Sequence, residues 1–143
     1  LLARLTWLSG KQGLDLPHIG RETWNSLIQA GQISGLVDWL NLDETELATI
    51  DGFGDRGSAR LQASLRTARQ RPFAQWLKAL GVPPSARNNL AGDWQALAAR
   101  DAQAWQTEAG IGPGRAAQLS AFFHDPQVLA MSETLRAAGI DGF

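Results

Sequence analysis

The residues of this sequence that are best suited to binding a ligand lie in two glycine-rich turns. Gly52-Phe53-Gly54 and Gly110-Ile111-Gly112 each place two glycines around one apolar residue, and small residues and an arginine follow. Glycines allow a tight turn with positive φ, and a helix that follows begins with backbone N–H groups that have no acceptor within the helix. These groups stand at the positive end of the helix dipole, where anions bind. The pattern therefore predicts two phosphate sites, and its repetition favours the phosphates of a nucleic acid.

The basic residues are mainly arginines, since only Lys11 and Lys78 are lysines among 13 basic residues. A guanidinium group donates two parallel hydrogen bonds to a phosphate, which suits this prediction. Five arginines follow the turns closely: Arg21, Arg56, Arg60, Arg87 and Arg115. The formal net charge of −1 argues against binding by bulk charge, so contacts with nucleic acid are expected to be local. An ordinary solvated helix face remains an alternative for each arginine.

Composition excludes several kinds of site. The sequence has no cysteine and two histidines, so it has no disulfide or thiolate zinc site, and we predict that it binds no metal. No apolar run of membrane-spanning length and no secretory leader occur, which favours a cytoplasmic protein without membrane contact, expected to be a monomer. Its 143 residues, 44% of them hydrophobic, suffice for one compact globular domain.

Helical periodicity runs through the whole chain, and no stretch alternates apolar and polar residues as a strand does. Leu61, Leu65 and Ala68 form an apolar stripe after the second turn, with Ser64 predicted on another face. Three arginines crowd the end of that helix, where cations favour the helix dipole: Arg66, Arg69 and Arg71. The six tryptophans fall mostly on such stripes and are predicted to fill the core. The sequence therefore predicts an all-α fold.

Aspartates mark the predicted starts of several helices. The expected N-cap residues are Asp43, Asp93, Asp101 and Asp125. Glu46 completes a capping box with Asp43, and the helix that they open is expected to run to Thr49 or Ile50. A short helix is also predicted through Asn89 and Leu90.

The chain contains an internal repeat. A shift of 58 positions places Gly52 and Gly54 on Gly110 and Gly112 without a gap, and predicted caps and apolar positions coincide as well. A shift of 66 positions relates an earlier turn, in which His18 stands where the second hairpin has glycine, to the turn at Pro83-Pro84. The repeat predicts two tandem pairs of helix-hairpin-helix units, four hairpins in all, in one compact domain. The expected boundaries are a lead-in segment at 1–12, the first pair at 13–70, the second pair at 71–138 and a short tail at 139–143.

The order and spacing of the four turns resemble the helix-hairpin-helix domain of bacterial NAD-dependent DNA ligases, over about residues 10–138. Those ligases place a four-cysteine zinc finger before this domain and a BRCT domain after it. The present sequence has no cysteine before the first hairpin and ends soon after the fourth unit. Within the family it is therefore most similar to the shorter members, which lack a complete zinc finger and a BRCT domain.

The resemblance implies a domain that lies over the minor groove at a nick and binds double-stranded DNA without reading its sequence. By position, the phosphate-binding residues would be Ile19, Gly20 and Arg21 in the first hairpin, Phe53, Gly54, Arg56 and Gly57 in the second, and Ile111, Gly112, Gly114 and Arg115 in the fourth. The third hairpin is not expected to bind phosphate, because Pro83 and Pro84 lack amide hydrogens and Ala86 replaces a glycine.

No catalytic residue is predicted in this chain. Ligases of this family form a lysine adenylate in a Lys-x-Asp-Gly motif, and neither Lys11 nor Lys78 begins such a motif. The resemblance implies NAD and a divalent cation as cofactors of the complete ligase and none bound by this chain. We expect this chain to bind nicked or duplex DNA weakly and to seal no nick alone.

Two alternatives stay open from the sequence. Helix-hairpin-helix DNA glycosylases place a catalytic lysine beside the hairpin and an aspartate downstream, where this chain has Arg115 and Asp125. The chain is also compatible with a structural or protein-binding helical module without DNA contact, since its net charge is negative and its third hairpin is degenerate.

Overall fold

The computed structural model describes residues 1–50, 52–86 and 92–143, and within these ranges the regular elements are helices. The α-helices are α1 (Leu2–Ser9), α2 (Arg21–Gln29), α3 (Glu44–Leu47), α4 (Asp55–Gln70), α5 (Phe73–Leu80), α6 (Trp94–Ala98), α7 (Ala102–Ala109), α8 (Pro113–His124) and α9 (Pro126–Ala137). Short 3₁₀ helices cover Asp38–Asn41 and Pro84–Ala86. The predicted all-α class is confirmed. No helix in these ranges is long and apolar enough to cross a membrane.

The chain divides into two compact units, Leu1–Arg71 and Pro72–Phe143. Unit 1 buries Trp24 and Trp39 against each other, with ring centroids 5.5 Å apart in an edge-to-face arrangement. Both indoles are satisfied, since Trp24 Nε1 donates to Ser9 Oγ at 2.9 Å and Trp39 Nε1 donates to the Leu36 carbonyl at 2.7 Å. Ser9 belongs to α1, which packs on α2, so the lead-in segment contributes to the core of this unit.

Unit 2 has an aromatic core around Phe123 of α8. The rings of Trp94 and Trp105 lie 5.0 and 5.7 Å from it, centroid to centroid. The segment 139–143, predicted as a tail, also packs here, because the Phe143 ring stacks on Trp94 at 5.6 Å and meets Phe73 edge-on at 4.9 Å. A chain end that looks like a short tail in the sequence is therefore part of a core.

Four of the described helices begin at the predicted aspartate caps. Each aspartate accepts a backbone N–H of the first turn: Asp43 from Thr45, Asp93 from Ala96, Asp101 from Ala104, and Asp125 from Gln127 and Val128. The helix predicted after Asp43 is shorter than expected, because α3 ends at Leu47 and not at Thr49 or Ile50. The next amides donate three residues back, Thr49 to Glu46 and Ile50 to Leu47, which tightens the chain into a turn.

Two predictions about side chains are wrong. Ser64 is fully buried in unit 1, although the helical pattern of α4 placed it off the apolar face. Trp7 is 38% exposed and donates Nε1 to Gln12 Oε1, while the other five tryptophans are buried as predicted. The predicted helix at Asn89 and Leu90 lies outside the described residues, as does Arg87.

Candidate nucleic-acid interface

Three of the four predicted hairpins share one backbone conformation. The residue that opens each turn has positive φ: His18 at +61°, Gly52 at +90° and Gly110 at +65°. His18 adopts this left-handed conformation despite its side chain, as the repeat predicts for a residue in the glycine position. The apolar residue that follows each opening residue is half-buried at Ile19 and Ile111 and buried at Phe53.

Glycine is the N-cap of the helix after each of these three turns. Gly20, Gly54 and Gly112 precede α2, α4 and α8 in extended conformation, and none of the three helices has a side-chain cap. The carbonyl oxygens of these three glycines accept the first hydrogen bonds of their helices. The donors are the backbone amides of Trp24, Ser58 and Ala116, with N···O distances of 3.1, 3.0 and 2.9 Å. The amides before them, in the first turn, have no acceptor within their helix. These three helix starts therefore differ from those capped by aspartate.

The space in front of these glycines is open. A Cβ atom built on Gly20, Gly54, Gly112 or Gly114 would meet no atom within 4 Å. All four glycines are exposed, so a group such as a phosphate can approach the backbone on this side. The arginines next to them are exposed, namely Arg21, Arg56 and Arg115.

Phe53 differs from the other predicted phosphate-binding residues. Its amide donates to the Ile50 carbonyl at 3.1 Å, and its side chain is only 8% exposed. Phe53 therefore closes the turn and anchors it in the core of unit 1. Gly57, one helical turn on, is half-buried beside the Phe53 ring.

The first turns differ in charge. Asp55 lies in the first turn of α4 and Glu22 in that of α2, and both acids are exposed. The first turn of α8 contains no acid, and Arg115 is exposed there. Electrostatically, the start of α8 is the most favourable of the three for an anion.

In unit 1 the first and second hairpins meet in a cleft of about 240 Å³. His18 and Thr23 line it from the first hairpin and α2, and Phe53, Gly57 and Arg60 line it from the second hairpin and α4. The fold thus brings together two predicted site residues, Phe53 and Gly57, with two residues that were not selected, His18 and Arg60. The sequence did contain a signal for Arg60, because it lies one helical turn after Arg56 on the same helix.

Helix α4 holds the loop that leads into the first hairpin. Ser64 Oγ donates to the Pro17 carbonyl. Arg71 donates Nε to the Leu14 carbonyl at 2.8 Å and Nη2 to the Asp15 carbonyl at 2.6 Å. Arg71 was predicted to interact with the dipole at the C-terminus of its own helix. Its guanidinium group donates to carbonyl oxygens of a different segment.

Unit 2 has a cleft at the corresponding place. It measures about 340 Å³ and is lined by Pro83, Pro84, Ser85, Arg115 and Gln118. The predicted third hairpin therefore lies next to the start of α8, as the first lies next to α4 in unit 1. The amide donors of the fourth hairpin, Gly112, Gly114 and Arg115, lie on the α8 side.

The arrangement gives no support for metal or glycosylase chemistry in the part of the chain that the structure describes. No three His, Asp or Glu side chains converge there on a metal site. The carboxylate of Asp125 accepts the amides of Gln127 and Val128 at 2.8 and 3.2 Å, which makes it the N-cap of α9. The polar groups of the candidate site are backbone N–H groups at the helix starts and the guanidinium and hydroxyl groups of residues that line the clefts.

Comparison with known proteins identifies relatives that align with almost the whole chain. The chain is 68% identical over 142 residues to DNA ligase B of Pseudomonas fluorescens (strain Pf0-1), and 49% identical over 142 residues to DNA ligase B of Pseudomonas putida (strain W619). Each alignment covers 99% of this chain and 25% of the relative, so the chain spans about a quarter of the length of these relatives. No protein-family model matches the chain. The resemblance to a domain of the shorter DNA ligases, predicted from the four turns, is confirmed.

Proposed function

We propose that this chain is the DNA-binding domain of an NAD-dependent DNA ligase and that it holds nicked or duplex DNA through its phosphates, without reading the sequence. The observation that carries the proposal is the set of three helix starts with glycine N-caps, open space in front of them and no side-chain cap. The names of the relatives, which are DNA ligases, support DNA as the source of the phosphates.

Two types of N-cap among the described helices support this assignment. An aspartate cap consumes first-turn amides and adds a negative charge that repels phosphate, and α3, α6, α7 and α9 all have one. A glycine cap leaves the amides free and adds no charge, and it occurs where the turns predict phosphate binding. Helices α1 and α5 also lack a side-chain cap, but their N-caps are Leu1 and Pro72, with no glycine-rich turn before them.

The proposed phosphate donors follow from these positions. They are the amides of Ile19, Gly20 and Arg21, of Gly54, Arg56 and Gly57, and of Ile111, Gly112, Gly114 and Arg115, together with the three arginine side chains. We omit the Phe53 amide, because it already donates to Ile50. Backbone amides bind phosphate whatever the base, so binding is expected to be independent of sequence.

The chemistry of sealing belongs to the rest of the ligase in this proposal. The chain spans a quarter of its relatives and has no Lys-x-Asp-Gly motif, so NAD, a divalent cation and the adenylated lysine are assigned to the complete protein. With NAD and Mg²⁺ added, this chain alone is expected to leave a nicked duplex unsealed.

Fluorescence anisotropy with a labelled nicked duplex tests the proposal. The affinity should fall linearly with salt on a double logarithmic plot, because bound phosphates release counterions. The double variant Gly54→Ala, Gly112→Ala should bind about tenfold more weakly, because each methyl group stands where a phosphate would approach. Gly35→Ala is the matched control, since its Cβ would make only ordinary contacts 3.7 Å from Asp38.

Two results would overturn the proposal. The first is no binding at low salt, or binding that ignores both salt and the double substitution, which would favour a protein-binding module. The second is release of a damaged base from duplex DNA by this chain, which would favour a glycosylase.

A further inference from the structure

We infer that the cleft between the first and second hairpins is a side-chain phosphate site, in which His18 and Arg60 bind one backbone phosphate of DNA. The inference rests on the proposed function and adds to it a second kind of contact, made by side chains. It concerns unit 1 alone.

His18 is the first reason. Its φ of +61° is a conformation that costs a residue with a side chain about 1–2 kcal/mol, and the repeat has glycine at this position in the second and fourth hairpins. The imidazole is exposed and lines the cleft. Strain retained where glycine would relieve it points to a role for the side chain.

The other lining groups suit a phosphate. Arg60 is exposed on α4, one turn beyond Arg56, and offers a guanidinium group. Thr23 and Ser26, which carry hydroxyl groups, also line the cleft. The cleft thus provides donors of three kinds on two walls, from α2 and from α4.

The charged groups that line the cleft balance each other. Glu22 of α2 and Arg60 of α4 are one acid and one base, so the cleft does not repel an anion as a surplus of acids would.

The equivalent cleft of unit 2 lacks this pair. The shifts of 66 and 58 positions place Pro84 at the position of His18 and Gln118 at that of Arg60, and both line the second cleft. Its cation is Arg115, which corresponds to Gly57. The site formed by His18 and Arg60 should therefore belong to the first cleft alone, and Arg60→Gln converts one residue of that cleft to its counterpart.

Binding of a labelled nicked duplex to the chain, measured by anisotropy at constant pH and ionic strength, tests the inference. His18→Gly should weaken binding about fivefold, because glycine keeps the left-handed turn and removes the imidazole. The control His124→Asn should keep the wild-type affinity, since His124 lies at the end of α8 with Nδ1 2.7 Å from the Ser120 carbonyl.

Arg60→Gln should weaken binding as well, whereas Arg66→Gln, at an exposed arginine of the same helix outside the cleft, should not. An unchanged affinity in His18→Gly or in Arg60→Gln would overturn the inference and leave the proposed function standing if binding still falls with salt. Absence of binding by the wild-type chain at low salt would instead overturn the proposed function as well.

Discussion

The hydroxyl of Ser64 donates to the carbonyl of Pro17, so the helix that begins at the second hairpin also holds the loop that leads into the first. Arg71, at the end of the same helix, binds two more carbonyls of that loop. Helix α4 therefore fixes both hairpins of unit 1, with its N-terminus in one and its later turns against the other. The cleft that contains His18 and Arg60 exists because of this arrangement.

Removing the contact between Ser64 and Pro17 should destabilise unit 1. Ser64→Ala leaves a carbonyl without its partner in a buried environment, which should lower the free energy of unfolding by about 1–2 kcal/mol. Urea denaturation followed by tryptophan fluorescence measures this change. Thr67→Ala is the control, because Thr67 donates only to the Ala63 carbonyl of its own helix, and a loss as large as that of Ser64→Ala would contradict the role of the loop contact.

The two glycines of the second hairpin should respond differently to alanine. Gly52 has a φ of +90°, so Gly52→Ala should cost about 1–2 kcal/mol of stability through backbone strain. Gly54 has a φ of −77° and open space around a Cβ atom, so Gly54→Ala should change stability by less than about 1 kcal/mol and weaken DNA binding instead. Thermal unfolding and anisotropy on both variants separate the two effects. Equal destabilisation by the two substitutions would refute the assignment of separate roles.

Arg115 should account for about one phosphate contact. Arg115→Gln should weaken binding of a nicked duplex at low salt and reduce the slope of log affinity against log salt by about 1. The exposed Arg136 lies in the last turn of α9, away from any hairpin in sequence, and Arg136→Gln should leave the slope unchanged. A slope that is the same for Arg115→Gln and the wild type would remove Arg115 from the set of phosphate donors.

The features that could be predicted from the sequence are local ones. The aspartate caps were found because a cap and the amides that it accepts lie two or three residues apart. The turns were found because a positive φ favours glycine, and the repeat even identified His18 as a residue in a glycine position. Helix length was predicted less well at α3, where no glycine or proline marks the end at Leu47.

The contacts that sequence reasoning missed join residues far apart in the chain. Ser64 and Pro17 are 47 residues apart, and Arg71 and Leu14 are 57 residues apart. Periodicity assigns a residue to a helix face but does not say what that face meets, so Ser64 was only predicted to lie off the apolar stripe of α4. The cleft with His18 and Arg60 was missed for the same reason, because it forms only when two hairpins meet.

Phe143 illustrates this last point and gives a direct test of the core of unit 2. Its ring contacts Trp94 and Phe73, and the preceding carbonyl of Gly142 accepts the Trp94 amide at 2.7 Å. Phe143→Ala should therefore lower the free energy of unfolding by about 2 kcal/mol, less than for a fully buried phenylalanine because the ring is half-exposed. Urea denaturation followed by tryptophan fluorescence measures the loss, with Leu129→Ala as the control, since Leu129 is 38% exposed on α9. If both substitutions cost the same small amount, the segment 139–143 adds nothing to the core, and its description as a tail was right.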